Sequence, residues 1–132
     1  MLQRELIDSL PEYFTHTKQP NSMIIDICAF VLSNLTKDVS LTAVACNLNF
    51  SKDYIGRMFK KKTGMSFLQY VTRAKMEYAK KLLASGEYKN YEVSKILGYR
   101  TPDYFTQLFK NYTGITPLTY RSTTKLTRNF RV

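Results

Sequence analysis

Residues 51–70 read SKDYIGRMFKKKTGMSFLQY, and residues 101–120 read TPDYFTQLFKNYTGITPLTY. Set against each other at a displacement of 50, they share eight of twenty positions: Asp53/Asp103, Tyr54/Tyr104, Phe59/Phe109, Lys60/Lys110, Thr63/Thr113, Gly64/Gly114, Leu68/Leu118 and Tyr70/Tyr120. Ser51/Thr101, Met58/Leu108 and Ser66/Thr116 are like for like. A solenoid needs about three repeats, so two copies point to one supersecondary unit used twice. Each copy carries its own punctuation. Ser51 and Thr101 suit a helix N-cap, and Pro102 suits the first helical position, where a missing N–H costs nothing. Ile55, Met58, Phe59 and Lys62 follow helical spacing, as do Phe105, Leu108 and Phe109. Gly64 and Gly114 supply left-handed stops. Residues 52–62 and 102–112 are therefore read as short amphipathic helices.

Working outward, a second short helix precedes each of these. Ser40 can cap Leu41–Leu48, whose apolar face is Leu41, Val44, Ala45 and Leu48. Asn90 can cap Tyr91–Leu97, with Val93, Ile96 and Leu97 inward and Gly98 closing it. Only Asn49-Phe50-Ser51 and Gly98-Tyr99-Arg100-Thr101 lie between the members of each pair. Helix, tight turn, helix is the helix-turn-helix pattern. Further out, Ser22 to Leu35 reads as an apolar helix through Ile24, Ile25, Ile27, Cys28, Val31, Leu32 and Leu35. Ser66-Phe67-Leu68-Gln69 is a capping box that opens a long helix through Leu83-Ala84, ended by Ser85-Gly86. Thr116-Pro117 opens a last short helix holding Tyr120 and Arg121. Residues 1–20 either form a helix (Leu2, Leu6, Leu10, Phe14) or are a linker remnant.

Composition agrees with a folded, all-α chain. Of 132 residues, 44% are apolar, interrupted by five glycines and four prolines, which suffices for a core. No apolar run approaches the roughly eighteen residues of a membrane span, and no signal-peptide pattern opens the chain. Cys28 and Cys46 both fall on apolar stripes and are read as reduced core residues of a cytoplasmic protein. Charge is the informative quantity. Residues 1–50 carry three basic residues against five acids, whereas residues 51–132 carry 17 against five, so the net +10 is segregated. Such an excess implies a polyanion, either nucleic acid or an anionic surface.

A helix over 66–84 spans about 28 Å, and B-DNA presents the same groove face about every 34–36 Å. With the width of each unit added, both second helices can reach successive major grooves, and tandem units would read an asymmetric site. Packing Ile55 and Phe59 inward turns Asp53, Arg57 and Lys60 outward, flanked by Tyr54, Gly56 and Lys61. In the second copy Asp103, Gln107 and Lys110 face out, flanked by Tyr104, Thr106 and Asn111. Arg57 suits guanine and Gln107 suits adenine, each in a bidentate contact. Asp53 and Asp103 either accept from cytosine N4 or assist the cap. Lys60, Lys61 and Lys110 suit phosphates, as do Ser51, Tyr54, Arg100, Thr101 and Tyr104 around the helix starts. Gly56 costs about 1 kcal/mol against alanine in a helix, which close approach of DNA would explain and simple tolerance would also permit.

Gly98-Tyr99, Tyr104-Phe105, Phe109-Lys110, Gly114, Pro117 and Tyr120-Arg121 follow a known signature. Across about residues 22–124 the chain resembles the AraC/XylS family of bacterial transcription regulators. The resemblance implies seven helices, with two helix-turn-helix subdomains (22–65 and 86–132, the latter with a C-terminal tail) joined by a connecting helix (66–85). Residues 1–21 are left as linker or extension. It also implies base-reading roles for Asp53, Gly56, Arg57, Pro102, Asp103, Thr106 and Gln107. Double-stranded DNA is the implied partner, with RNA polymerase as a second through transcription activation. Full-length members usually attach a sensory or receiver domain, so the resemblance implies either such a further partner or a small stand-alone member. Asn49 stands where the first unit of this family often has glycine, and Ser94 where the second often has alanine.

Lys60-Lys61-Lys62 alone would be a solvated face; its place at the end of a second helix reverses that. Tyr54 and Tyr104 pack, touch phosphate, or do both. Tyr120-Arg121 secures the last helix, and the lone His16 carries no catalytic or metal role. No phosphate-binding loop, nucleophile elbow or metal-ligand cluster supports an enzyme, and no cofactor is expected. Two cysteines eighteen residues apart cannot build the four-cysteine zinc site of the family's DNA-repair relatives. The alternative is a nonspecific basic module for nucleic acid or a membrane surface. RNA readers use stacking aromatics on a sheet or loop, and surface helices need an unpacked apolar face. Neither is expected here, and membrane association is not expected.

Overall fold

The computed structural model describes residues 19–37 and 39–130, with side chains for 22–37 and 39–124. The readings made for residues 1–18, His16 among them, lie outside the described residues. Seven helices form the described chain, with no strand among the described residues: α1 Gln19–Ser33, α2 Leu41–Leu48, α3 Lys52–Thr63, α4 Phe67–Ala84, α5 Asn90–Ile96, α6 Pro102–Thr113 and α7 Pro117–Phe130. The all-α expectation holds. The chain forms two compact units that divide within α4, between Ala74 and Lys75.

In the first unit, α1 contributes Ile24, Ile27, Cys28 and Val31 to a core with Val44 and Ala45 of α2. Ile55, Met58 and Phe59 of α3 complete it, with Phe67, Tyr70 and Val71 from the start of α4. The Phe59 ring meets Phe67 edge-on at 6.0 Å and Tyr70 at 5.5 Å. In the second unit Met76, Ala79 and Leu83 pack with Val93, Leu97, Phe105 and Phe109, and Tyr120 closes on Phe109 at 5.6 Å. Fully burying each of the Val, Ile, Leu, Met and Phe side chains among them contributes about 1.5–3 kcal/mol, which holds the short helices that could not stand alone.

The helix punctuation matches the sequence at most ends. Ser40 caps α2 by accepting from Ala43 N–H over 3.1 Å, and Ser66 and Gln69 close the expected capping box. Gly64, Gly86 and Gly114 are left-handed, and so is Asn49, the one non-glycine residue with positive φ (61°) among the described residues. Asparagine tolerates this region, so the departure from glycine leaves the turn intact. Ser94 is also accommodated: it is buried, and its hydroxyl donates to Thr101 O over 3.1 Å.

Four expectations are corrected. The first helix begins at Gln19 rather than Ser22, since Pro20 is tolerated in a first turn, and it ends at Ser33 in a run of turns. Lys89, not Asn90, is the N-cap of α5; its N–H donates to Glu92 Oε1 over 2.9 Å, while Asn90 already lies inside the helix. The last helix is not short. It runs 14 residues, because no glycine or proline follows Pro117 and Thr123 and Thr124 turn their hydroxyls back to the backbone. Cys28 is buried as expected, but Cys46 is exposed, on the outer side of α2.

Candidate nucleic-acid interface

The second helix of each pair is built the same way. Ser51 Oγ accepts from Tyr54 N–H over 3.2 Å, and Thr101 Oγ1 accepts from Tyr104 N–H over 3.1 Å. Pro102 occupies the first turn of α6, and Asp53 and Asp103 place a carboxylate where the helix dipole favours one. Both cap oxygens are thus engaged as acceptors, and each hydroxyl keeps a proton that can be donated to a phosphate.

With Ile55 and Phe59 buried, Asp53, Arg57, Lys60 and Lys61 are exposed along α3, and Gly56 is half-buried beside them. On α6, Phe105 and Phe109 are buried while Pro102, Asp103, Gln107 and Lys110 are exposed and Thr106 is half-buried; Arg100 is exposed in the turn before them. Each set therefore falls on one outward face, within its own unit. Tyr54 and Tyr104 pack in part and stay exposed in part. Each ring leans on a turn aromatic, Tyr54 on Phe50 at 5.5 Å and Tyr104 on Tyr99 at 5.8 Å, yet they remain 42% and 56% exposed. Burial pushes the Tyr99 hydroxyl up to about 12, with Tyr104 adding to the shift, so Tyr99 stays neutral beneath the exposed ring.

Side-chain hydrogen bonds set what these faces present. Arg57 Nε donates to Asp53 O over 3.3 Å, which tethers the guanidinium along the helix and leaves both Nη groups for an outside acceptor. Gln107 Nε2 donates to Asn111 Oδ1 over 3.2 Å, so its amide is held by its neighbour one turn on. Asn111 was read only as a flanking residue; its spacing of four from Gln107 was the available signal. Sequence reasoning also missed what lies behind Gly56. A Cβ there would stand 3.1 Å from Leu41 Cδ2, and Leu41, Lys52, Asp53, Gly56 and Arg57 line one open cleft. No spacing rule reports such a contact between α2 and α3. Arg121 secures α7, donating through Nε to Tyr88 O at 3.0 Å and through Nη2 to Gly86 O at 2.9 Å. Among the described residues no helix is long and apolar enough to cross a membrane.

Comparison with known proteins matches this architecture. A family model described as a helix-turn-helix domain fits residues 33–123. The chain is 37% identical over 103 residues to the uncharacterized transcriptional regulatory protein YesN of Bacillus subtilis strain 168, covering 76% of this chain but 27% of that protein. It is 38% identical over 101 residues to the multiple antibiotic resistance protein MarA of Escherichia coli strain K12, covering 76% of this chain and 79% of MarA. The solved C-terminal domain of AraT, a response regulator from Geobacillus stearothermophilus, superposes with a TM-score of 0.75 at 33% identity, over 80% of this chain and 88% of that domain. With two helix-turn-helix units, each ending in a capped and exposed second helix, the chain belongs to the AraC family of helix-turn-helix transcription regulators and carries that family's DNA-binding domain.

Proposed function

We propose that the chain reads an asymmetric double-stranded DNA site with α3 and α6 in two successive major grooves, as the DNA-binding end of a transcription activator. The observation that carries this reading is the matched pair of outward faces, each on a helix that is capped, stopped by a left-handed glycine and anchored by a buried phenylalanine, Phe59 or Phe109. Asp53, Gly56 and Arg57 form the first reading face, and Pro102, Asp103, Thr106 and Gln107 the second. Ser51, Tyr54, Lys60, Lys61, Arg100, Thr101, Tyr104 and Lys110 hold the phosphates and so fix register without specifying sequence. Because Gly56 and Arg57 stand where the second face has Thr106 and Gln107, the two half-sites differ too, and a single chain suffices for both.

RNA polymerase is the second partner in this reading, by family analogy. The chain spans only 27% and 28% of two of the regulators it matches, so a sensory or receiver domain is proposed as the source of its signal. A chromosomal target places the work in the bacterial cytoplasm. Selection of bound duplexes from a random pool, repeated at low and moderate salt, tests the proposal. Two short, dissimilar blocks about one helical turn apart are expected. A single block would leave one unit as a backbone clamp. Binding without enrichment that vanishes with salt would reduce the chain to a nonspecific polyanion binder.

A further inference from the structure

Thr106 is tied to the other helix of its unit. Asn90 Nδ2, in the first turn of α5, donates to Thr106 Oγ1 on α6 over 3.1 Å. The first unit has no counterpart: at a displacement of 50, Ser40 stands opposite Asn90 and Gly56 opposite Thr106, and Ser40 Oγ is engaged in its own cap. Several other helical threonines of this chain turn their hydroxyl proton back on the backbone. Thr63 donates to Phe59 O at 2.7 Å, Thr113 to Phe109 O at 2.8 Å, and Thr124 to Tyr120 O at 3.0 Å. Among the described residues Thr106 has no such acceptor, so one lone pair is taken by Asn90 and its proton is unspent. The amide is oriented by its own surroundings. Among the described residues Asn90 Oδ1 is buried without a hydrogen-bond partner; reversing the amide would put an NH2 group there instead, and orphaned N–H donors are rarer than under-satisfied carbonyls.

We infer that Asn90 is a positioning residue that sets the hydrogen-bond polarity of the second reading face, making Thr106 a donor toward DNA. This rests on the proposal that Thr106 faces base edges. A hydroxyl that accepts from one neighbour is polarised to donate to the next, and its proton must find an acceptor once water is displaced. In the major groove guanine offers N7 and O6, thymine offers O4 and adenine offers N7, whereas cytosine offers only the N4 donor. Cytosine N4 could reach the second lone pair of Thr106 only by leaving the hydroxyl proton unmet, so the base edge opposite Thr106 is one that disfavours cytosine, by about fivefold, the weight of one ordinary hydrogen bond.

The test compares duplex selections by the whole chain and its variants at fixed salt, read at the one column that Thr106→Val changes. Thr106→Val keeps the side-chain shape, removes the hydroxyl and should flatten the cytosine depletion. Asn90→Asp should invert it. A carboxylate only accepts, so Thr106 must donate to it and turn its lone pairs to the DNA, admitting cytosine to parity or above. An acid in the first turn of α5 is favoured by the helix dipole, so this variant should fold, and any general loss from its added charge falls on all columns alike. In the double variant the column should look like that of Thr106→Val. If Thr106→Val alters no column, the base-reading role of Thr106 fails, and this inference with it. If it flattens the column but Asn90→Asp leaves the wild-type preference, the reading face stands and the polarity role of Asn90 is overturned. Cytosine gained in the double variant would also overturn it, since the carboxylate would then be meeting cytosine directly.

Discussion

The Lys75 ammonium donates to the Leu97 carbonyl over 2.7 Å, although Lys75 is only 4% exposed. The same Nζ lies 5.1 Å from the centre of the Tyr99 ring. Leu97 ends α5 and Tyr99 sits in the turn before α6, so one buried cation holds the turn that orients the second reading helix. Replacing Lys75 with methionine keeps the stem and strands the carbonyl. The expected loss is about 1–3 kcal/mol, seen as a lower urea midpoint at unchanged slope. No change in midpoint would mean that solvent reaches Leu97 and that the turn needs no such tie.

The two thiols should behave as different chemical groups. Cys28 is fully buried, and that burial raises its thiol from 9.0 to about 11, whereas Cys46 is exposed. Only a thiolate attacks a disulfide reagent, so near pH 8 one thiol per native chain should react quickly and the second only on unfolding. The linked effect on stability has a definite sign. A pKa raised in the folded state gives stability that is complete below the unfolded value and is lost as pH climbs toward the folded one. Cys28→Ser or Cys28→Ala should therefore flatten the fall in stability between about pH 9 and 11. Two fast thiols in the native protein would contradict the packing of α1.

Much of this was legible in the sequence because punctuation and periodicity are local. Ser51, Thr101, Gly64 and Gly114 fix helix ends whatever surrounds them, and they stand where they were read. The reading failed where a side chain had a competing tertiary partner. Asn90 looks like an N-cap, but its amide is spent on Thr106, sixteen residues away. Cys46 follows an apolar stripe on a helix of only 8 residues, too short for spacing alone to separate its inner face from its flank. Nor did the 50-residue displacement extend to the first helix of each unit. Ile24, Ile27 and Val31 of α1 share their i, i+3, i+7 spacing and their burial with Met76, Ala79 and Leu83 of α4, at a displacement of 52. The connection before α2 is two residues longer than that before α5, and it hides the correspondence. Hydrogen-bond polarity at Thr106 and the contact behind Gly56 involve two helices at once and leave no periodic trace.

Arg57 and Lys60 share the outward face of α3 and should separate cleanly in binding measurements. Arg57, tethered through Nε with its Nη groups free, should contact one guanine. Arg57→Ala is expected to cost about 1–3 kcal/mol on the preferred site and to relax one base position. Lys60→Ala should weaken all sequences alike and reduce the salt slope by about one. Titrations of the preferred and a scrambled duplex at several salt concentrations distinguish the two. If Arg57→Ala changed neither affinity nor base preference, the first reading face would be misplaced.

Gly56 separates stability from function most sharply. Alanine in a helix is favoured over glycine by about 1 kcal/mol, and Gly56 lies inside α3. Among the described residues the only nearby atom a new Cβ would crowd is Leu41 Cδ2 at 3.1 Å, the far end of a half-buried side chain at the start of α2. That end can give by a few tenths of an ångström, so Gly56→Ala should leave thermal stability unchanged or raise it slightly. In the proposed reading, Gly56 serves the cleft beside Asp53 and Arg57, where backbone can approach a base edge closely. The substitution should therefore weaken binding to the selected site about tenfold, as expected for loss of roughly 1.4 kcal/mol of contact, while binding to scrambled DNA changes little. Equal affinity for both duplexes before and after the change would make Gly56 a tolerated residue, with Leu41 and not DNA as the neighbour that set its size.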